Sequence, residues 1–270
     1  TFPKFKKSIE ALGAHPAAIF YSDNVGLAQA QIINCLFGRY RTYDQRPQGE
    51  AIHATAIIAD SAKIGKNVFI GPHTSIGDNS SIGDNSYISA NCVIDSTVQI
   101  GKNVWLWPFV FIGDDCIIGD NCVVHPHTAI GSEGYGFAHS EKFAHSRIPQ
   151  RGNVVIGIGA DIGALNSIDR ATYGSTRNGA GVVTDNGVHV AHNCSVGENS
   201  ILVAGTGIAG SSQVGKNFVA GGHAKVTDHV TVCDNVRIAG LAVIAKSVDK
   251  PGDYGGYPLQ NVKDFIRTKA

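Results

Sequence analysis

Aliphatic residues recur at every sixth position along most of this chain, with polar residues and glycine between them. Each sixth residue from Ile52 to Ile130 is isoleucine, leucine or valine, and glycine often follows it. Four residues after each aliphatic comes a small or β-branched residue, such as Thr74 or Cys92. A period of six matches neither an amphipathic helix nor a simple alternating strand. The pattern therefore predicts a short strand and a corner in each hexad, with the β-branched side chain pointing inward.

Stacked hexads of this kind predict an all-β solenoid, in which every backbone group pairs with the coil above and below. Glycines and dipeptides such as Asp78-Asn79 and Asp84-Asn85 suit the corners, where a positive φ is expected. The hexads resemble those of the hexapeptide-repeat acyltransferases, whose fold is a left-handed parallel β-helix with three hexads per coil. That resemblance, not the period itself, implies the left-handed coil.

The repeat delimits three parts of the chain. Residues 52–250 form the predicted β-helix of roughly nine coils, with an inserted loop at 131–153 that is too long and aromatic for a corner. Residues 1–51 lack the hexad and predict a partial, nucleotide-binding-like α/β segment with a helix from Val25 to Phe37. Residues 251–270 form a tail that begins at Pro251-Gly252 and is expected to end in a short helix.

Two further sequence features modify this picture. The cadence slips near residues 171–173, and Arg177-Asn178 stand where an aliphatic-glycine pair is expected, which predicts a locally altered coil. The chain contains no methionine, so Thr1 is not expected to be the natural start and an N-terminal segment is expected to be missing.

Composition narrows the class of function. The 22 basic residues balance the 22 acidic residues, which argues against nucleic acid as a partner because phosphate-binding surfaces need a basic excess. No apolar run approaches the ~20 residues that span a bilayer. The six cysteines form no CxxC pair and four fall at inward hexad positions, so core packing in a reducing cytoplasm is expected.

The repeat also places particular side chains together. His192 and Gly210 are 18 residues apart, which is one coil in a three-hexad solenoid, so the glycine should lie directly above the histidine on one edge. His229 follows two coils and one residue after His192. An imidazole beside a backbone N–H is a candidate general base with an oxyanion donor. A surface turn histidine next to an ordinary glycine is the alternative.

Longer motifs point to one family within this fold. They occur in one order and spacing: GSEGYGFA (131–138), RIPQRGNVVIG (147–157), SIDRATYG (167–174), TDNGVHVAHN (184–193), GIAGSSQVGKN (207–217), TDHVTVCDNV (227–236) and PGDYGGYP (251–258). From about Ala17 to the C-terminus, the chain resembles the UDP-3-O-acylglucosamine N-acyltransferases of lipid A biosynthesis. These enzymes transfer a 3-hydroxyacyl group from acyl carrier protein to the 2-amine of UDP-3-O-acylglucosamine.

The resemblance implies roles for individual residues. His192 of the AHN motif corresponds to the general base, and Gly210 to the oxyanion donor. His229, Asp185 and Asn186 correspond to positions that contact the substrate phosphates or the phosphopantetheine arm. Leu241 and Val243 correspond to the acyl groove. A corner role for Asp185-Asn186 and ordinary packing for Leu241 and Val243 are the alternatives.

The family's uracil-binding pattern, aromatic-x-x-Asn-Pro-x-Tyr, is only partly present. Tyr21 and Asn24 match its aromatic and asparagine positions, whereas Val25 and Leu27 replace its proline and tyrosine. The resemblance thus implies uridine contacts for Tyr21 and Asn24, and the altered pattern leaves the acceptor's identity open.

Further expectations follow from the same family. The acyl donor would arrive on the phosphopantetheine of acyl carrier protein, with no bound cofactor and no metal. The protein would be a homotrimer with active sites between subunits and with the loop at 131–153 reaching across that junction. Because the acceptor is a lipid, we expect a cytoplasmic protein that contacts the inner membrane surface only transiently.

Several alternatives share the fold. An acetyl-CoA-dependent sugar acetyltransferase would need a short acyl pocket near Val243. The UDP-N-acetylglucosamine O-acyltransferases carry a helical C-terminal domain for which this chain has little room after the last hexad. A zinc carbonic anhydrase could use His125 and His127 but needs a third histidine in phase. A non-enzymatic scaffold would leave His192 incidental.

Overall fold

The computed structural model describes residues 22–37, 51–142 and 144–256. The chain divides into two compact units, residues 1–50 and residues 51–270. In the first unit, one α-helix spans Val25–Phe37, as predicted. Asn24 caps this helix, because its Oδ1 accepts a hydrogen bond from the Leu27 N–H at 3.0 Å. Tyr21 and the predicted C-terminal helix at 258–269 lie outside the described residues.

The second unit is a parallel β-helix built from three sheets, which confirms the predicted fold class. The first face contains ten strands: Ile57–Ile58, Ser75–Ile76, Val93–Ile94, Phe111–Ile112, Ala129–Glu133, Ser167–Arg170, His189–Val190, Gly207–Ile208, Lys225–Val226 and Val243–Ile244. The second face contains nine: Lys63–Ile64, Ser81–Ile82, Gln99–Ile100, Ile117–Ile118, Asn153–Ile156, Ser175–Asn178, Ser195–Val196, Gln213–Val214 and Thr231–Val232.

The third face again contains ten strands: Phe69–Ile70, Tyr87–Ile88, Trp105–Leu106, Val123–Val124, Asp161–Ile162, Val183–Thr184, Ile201–Leu202, Val219–Ala220, Val236–Ile238 and Gly252–Tyr254. Ten coils therefore replace the nine that were predicted. Most neighbouring strands on a face are 18 residues apart, as in the pairing of Ile58 with Ile76, so three hexads do complete one coil.

The interior of the β-helix is the hydrophobic core. The aliphatic residue of almost every hexad is buried, and Ile70, Ile112 and Ile168 have no measurable exposure. Inward β-branched side chains stack on their copies in adjacent coils, so each strand of two residues contributes one core side chain. This stacking explains why a six-residue repeat with so few large aromatic residues still forms a continuous core.

The predicted positive φ values occur at the corners. Twenty non-glycine residues have a positive φ, and half of them are asparagine, including Asn79 at 56° and Asn85 at 60°. Asparagine tolerates this left-handed conformation better than most residues. The same corner position is occupied by Asn193 (φ 60°), Ser211 (62°) and His229 (55°), so the corner itself dictates their backbone geometry.

Four cysteines pack in the core, as predicted. Cys92, Cys116, Cys122 and Cys194 are buried, and each lies at the small inward position of a hexad. Burial raises the pKa of each of these four thiols to about 11. They therefore remain protonated at neutral pH and are poor nucleophiles.

The predicted alteration near Arg177-Asn178 is wrong. The strand Ser175–Asn178 continues the coil in register, with Asn178 paired between Ile156 and Val196. The Asn178 side chain points inward and is 2% exposed, where other hexads place an aliphatic residue. A polar inward residue therefore masked one coil of the repeat, which accounts for the undercounted coil.

The insertion at 131–153 is structured rather than a simple loop. The strand Ala129–Glu133 extends past the hexad, with a register shift between Ile130 and Ser132. An antiparallel hairpin follows, Phe137–His139 with His145–Arg147. Gly131 at φ +90° makes the turn out of the regular coil. The segment between this turn and the hairpin reaches the corner of a later coil.

Candidate active site

A groove of about 610 Å³ runs along the first face of the β-helix. Its floor consists of the outward positions of three successive strands, His189, Gly207 and Lys225, which pair directly in the sheet. Gly207 leaves a depression between two larger side chains, since a Cβ there would meet the Lys225 side chain at 3.0 Å. Other lining residues with functional side chains are Tyr135, Asp169, His192, Thr227, Asp228 and His229.

The structure places Gly210 directly against His192, as the 18-residue spacing predicts. A Cβ built on Gly210 would lie 2.7 Å from Nε2 of His192 and 2.8 Å from its Cε1. The backbone continues this stacking, because the Ser211 N–H donates to the His192 carbonyl at 2.9 Å. Within the part of the chain that the structure describes, the Gly210 N–H has no acceptor. This backbone donor is therefore free to bind a ligand oxygen.

The second flank of the His192 ring is also a glycine. A Cβ on Gly134 would lie 2.9 Å from Cβ of His192 and 3.1 Å from its Cδ2. The imidazole is thus held between two backbone segments that both lack side chains. Sequence reasoning missed Gly134, because the segment after Ile130 leaves the hexad register and its position could not be counted.

Asn193 fixes the proton on the imidazole. The Asn193 side chain donates from Nδ2 to the Tyr173 carbonyl at 3.0 Å, and its Oδ1 accepts from the Thr172 N–H at 2.9 Å. Since these bonds make Oδ1 an acceptor, Nδ1 of His192, 3.1 Å from Oδ1, must be the donor. The neutral ring then carries its lone pair on Nε2, the nitrogen beside Gly210. This arrangement suits a general base.

His229 lies at the same groove, one corner residue further along the stack. Its N–H donates to the Gly210 carbonyl at 3.1 Å, and its side chain is exposed. Lys225 adds a cationic side chain, with Nζ donating to the Gly205 carbonyl at 2.6 Å. Sequence reasoning singled out His229 but missed Lys225, which occupies an ordinary outward hexad position.

Asp185 and Asn186 lie at a different corner and do not line the groove. Asp185 accepts from the Asn186 N–H at 2.7 Å and the Ala204 N–H at 3.2 Å, and Asn186 accepts from the Ala164 N–H at 2.8 Å. These contacts are those of a β-helix corner. Their predicted role at the phosphopantetheine arm stays a prediction.

Leu241 and Val243 are exposed at the end of the β-helix. Val243 is the next outward position above Lys225 on the first face, so it extends the line of the groove. It lines a second, smaller cavity of about 260 Å³ together with Tyr254. Leu241 occupies a corner with φ 63°. Their predicted role in binding an acyl chain stays a prediction.

The histidines outside the groove have other partners. His125 lies 3.1 Å from Asp161 and stacks on Trp107, whereas His127 stacks on Phe109. In residues 22–37, 51–142 and 144–256, no group of three potential metal ligands occurs. His223 is an exposed corner residue with φ 58°, as predicted.

Comparison with known proteins identifies the repeat first. Residues 52–96 and 97–132 match the family described as bacterial transferase hexapeptide (six repeats). The fold matches the UDP-N-acetylglucosamine O-acyltransferase of Moraxella catarrhalis with a TM-score of 0.55 and 28% identity, over 82% of this chain and 78% of that one. It also matches the Arabidopsis UDP-N-acetylglucosamine acyltransferase with a TM-score of 0.66 and 22% identity, over 76% of this chain and 71% of that one. The chain is a hexapeptide-repeat β-helix of the acyltransferase type.

The curated relatives are more specific. The chain is 40% identical over 147 residues to the UDP-3-O-acylglucosamine N-acyltransferase of Wolinella succinogenes, covering 54% of this chain and 46% of that protein. It is 41% identical over 145 residues to the enzyme of the same name from Methylococcus capsulatus, covering 54% and 41%. These matches confirm the predicted resemblance to the UDP-3-O-acylglucosamine N-acyltransferases. The chain spans about half the length of the curated relatives it matches.

Proposed function

We propose that this chain is an N-acyltransferase of lipid A biosynthesis that transfers a 3-hydroxyacyl group from acyl carrier protein to the 2-amine of UDP-3-O-acylglucosamine. The observation that carries the proposal is the contact between His192 and Gly210, which pairs an unprotonated Nε2 with a free backbone N–H at one groove. The names of the curated relatives support the same reaction class.

The acceptor amine supplies the proton that His192 removes. An ammonium must lose one proton, through Nε2 to solvent, before its nitrogen lone pair can attack the thioester carbon. The new C–N bond forms as the carbonyl π electrons move to oxygen. His192 then takes a second N–H proton from the tetrahedral intermediate. When the C–S bond breaks, its electron pair leaves with sulfur, which receives this proton and departs as the thiol.

The Gly210 N–H stabilises the charge that develops on the thioester oxygen. A backbone donor held by two stacked coils needs no rearrangement when the oxyanion forms. Because Gly210 lacks a side chain, the thioester carbon can approach both this N–H and Nε2 of His192.

The charges along the groove suit an anionic donor arm. Lys225 and His229 lie on the later coils, on the side of Gly210 away from Asp169. A phosphodiester group of phosphopantetheine carries a negative charge that such side chains attract. This proposal keeps His229 as a binding residue and adds Lys225.

The remaining parts of the proposal rest on the family resemblance. They are a homotrimer with sites between subunits, and transient contact with the cytoplasmic face of the inner membrane. Among the described residues, no helix has the length and apolarity that crossing a bilayer requires.

The direct test is a transfer assay with 3-hydroxyacyl-acyl carrier protein and UDP-3-O-acylglucosamine, with product detected by mass spectrometry. We expect an amide product whose mass rises by one hydroxyacyl group. Acetyl-CoA serves as the competing donor in a parallel reaction. Transfer of acetyl but not of hydroxyacyl groups would favour a sugar acetyltransferase, and no product with either donor would contradict the proposal.

Loss of the Asn193 side chain should reduce kcat by about 100-fold, because the imidazole then loses the acceptor that keeps the proton on Nδ1. Asn193→Gly tests this without backbone strain, since glycine accepts the φ of 60° freely. Asn193→Asp retains an acceptor oxygen for Nδ1–H and should restore most of the activity. Equal activity of Asn193→Gly and the wild type would show that this contact does not orient the base.

A further inference from the structure

The groove contains a buried carboxylate that the mechanism above does not use. Asp169 follows Ile168, which pairs with Val190, so Asp169 lies one coil below Ala191 and next to the His192 corner. Its side chain is 9% exposed, yet it lines the groove. Asp228, the other carboxylate of the groove, lies on the far side of Gly210 and is exposed.

The two oxygens of Asp169 have different surroundings. Oδ1 accepts hydrogen bonds from the Ser167 hydroxyl at 3.1 Å and the Ser132 hydroxyl at 3.3 Å. Oδ2 lies 3.7 Å from Nε2 of His189, which is beyond hydrogen-bond distance. The serines therefore orient the carboxylate and leave Oδ2 with capacity to accept a bond from a ligand in the groove.

The adjacent arginine does not neutralise this carboxylate. Arg170 donates to the Gly131 carbonyl at 2.8 Å and to the Asp114 side chain at 2.6 Å, in the direction of an earlier coil. A buried carboxylate without a strong cationic partner is costly to maintain. Such a group is stabilised when a cation binds beside it.

We propose that Asp169 binds the ammonium form of the acceptor and thereby selects an amino sugar over a sugar with a hydroxyl group at the same carbon. This inference rests on the proposed function, because it assigns a residue to acceptor recognition at the same site. An ammonium has three N–H donors, so one can bind Oδ2 of Asp169 while another faces Nε2 of His192. The charge-assisted bond holds the nitrogen at the base until its proton is removed.

The same contact favours product release. Acylation converts the ammonium into a neutral amide with a single N–H, because one proton has gone to solvent and one to the departing thiol. The product therefore loses the ion pair with Asp169. Discrimination between charged substrate and neutral product is the property that separates this role from a structural one.

The experiment compares binding of two ligands to the full chain by titration calorimetry, at a pH where the amine is protonated. One ligand is UDP-3-O-acylglucosamine, and the other is its N-acetylated, neutral derivative. Asp169→Asn keeps the shape of the side chain and an oxygen acceptor for the serines. We expect it to weaken binding of the amine about 10- to 100-fold and to change binding of the neutral derivative less than about twofold.

Asp60→Asn is the matched control, because Asp60 is an exposed aspartate of an early coil outside the groove. It should leave both affinities unchanged. Equal weakening of both ligands by Asp169→Asn, or no weakening of either, would overturn the acceptor role. Thermal unfolding of the variant separates a folding defect from either result. Wild-type binding without acyl transfer would refute the proposed function alone, whereas absence of wild-type binding would refute both.

Discussion

His192→Ala is expected to lower kcat for acyl transfer by about 10²- to 10⁴-fold, the usual contribution of a positioned general base. The substitution removes Nε2, which lies beside the free N–H of Gly210 and is kept unprotonated by the Asn193 contact. The KM values for donor and acceptor should change much less, because the lost group acts on the amine proton during the reaction. Steady-state kinetics with each substrate varied in turn would measure both effects.

Two comparisons make this result specific. His223→Asn replaces a corner histidine that does not line the groove, with a residue that fits its φ of 58°, and should retain wild-type activity. Added imidazole should partly restore the rate of His192→Ala, since a small base can enter the space left by the ring. A rate for His192→Ala within tenfold of the wild type would remove His192 from the mechanism and favour the scaffold alternative.

The contact between His192 and Gly210 could be predicted because a solenoid turns sequence spacing into position. Once three hexads make one coil, residues 18 apart must stack on the same edge, and the strand pairing of His189 with Gly207 shows this register at the site. The corner glycines and asparagines were equally predictable, because a left-handed corner conformation restricts the residue type.

The parts of the groove that the sequence did not predict come from departures from the repeat. Gly134 reaches His192 only because the chain leaves the coil after Ile130, where the register shift occurs. Asp169 lies in a strand longer than the usual two residues, so its position relative to the hexad was ambiguous. Asn178 shows the converse case, because its coil is regular and only its polarity concealed the repeat.

Gly210→Ala is the second substitution for which we expect a large effect, a fall in kcat of about 100-fold. Alanine retains the backbone N–H, so the proposed oxyanion donor remains in place. Its Cβ, however, would lie 2.7 Å from Nε2 of His192, a separation that forces the ring to move. The ring cannot retreat freely, because Gly134 holds its opposite side. Displacing a reacting group by about 1 Å can cost a factor of this size.

Gly222→Ala is a matched control for this prediction, because Gly222 occupies the same corner position two hexads later and its added Cβ would meet nothing closer than 3.7 Å. It should leave kcat and the thermal midpoint unchanged. Gly134→Ala should resemble Gly210→Ala, since it presses on the ring from the other side without approaching the free N–H. If Gly134→Ala kept full activity while Gly210→Ala lost it, the loss would lie in access to the oxyanion donor rather than in the position of the base. Equal losses in both would show that catalysis depends on an imidazole confined between two bare stretches of backbone.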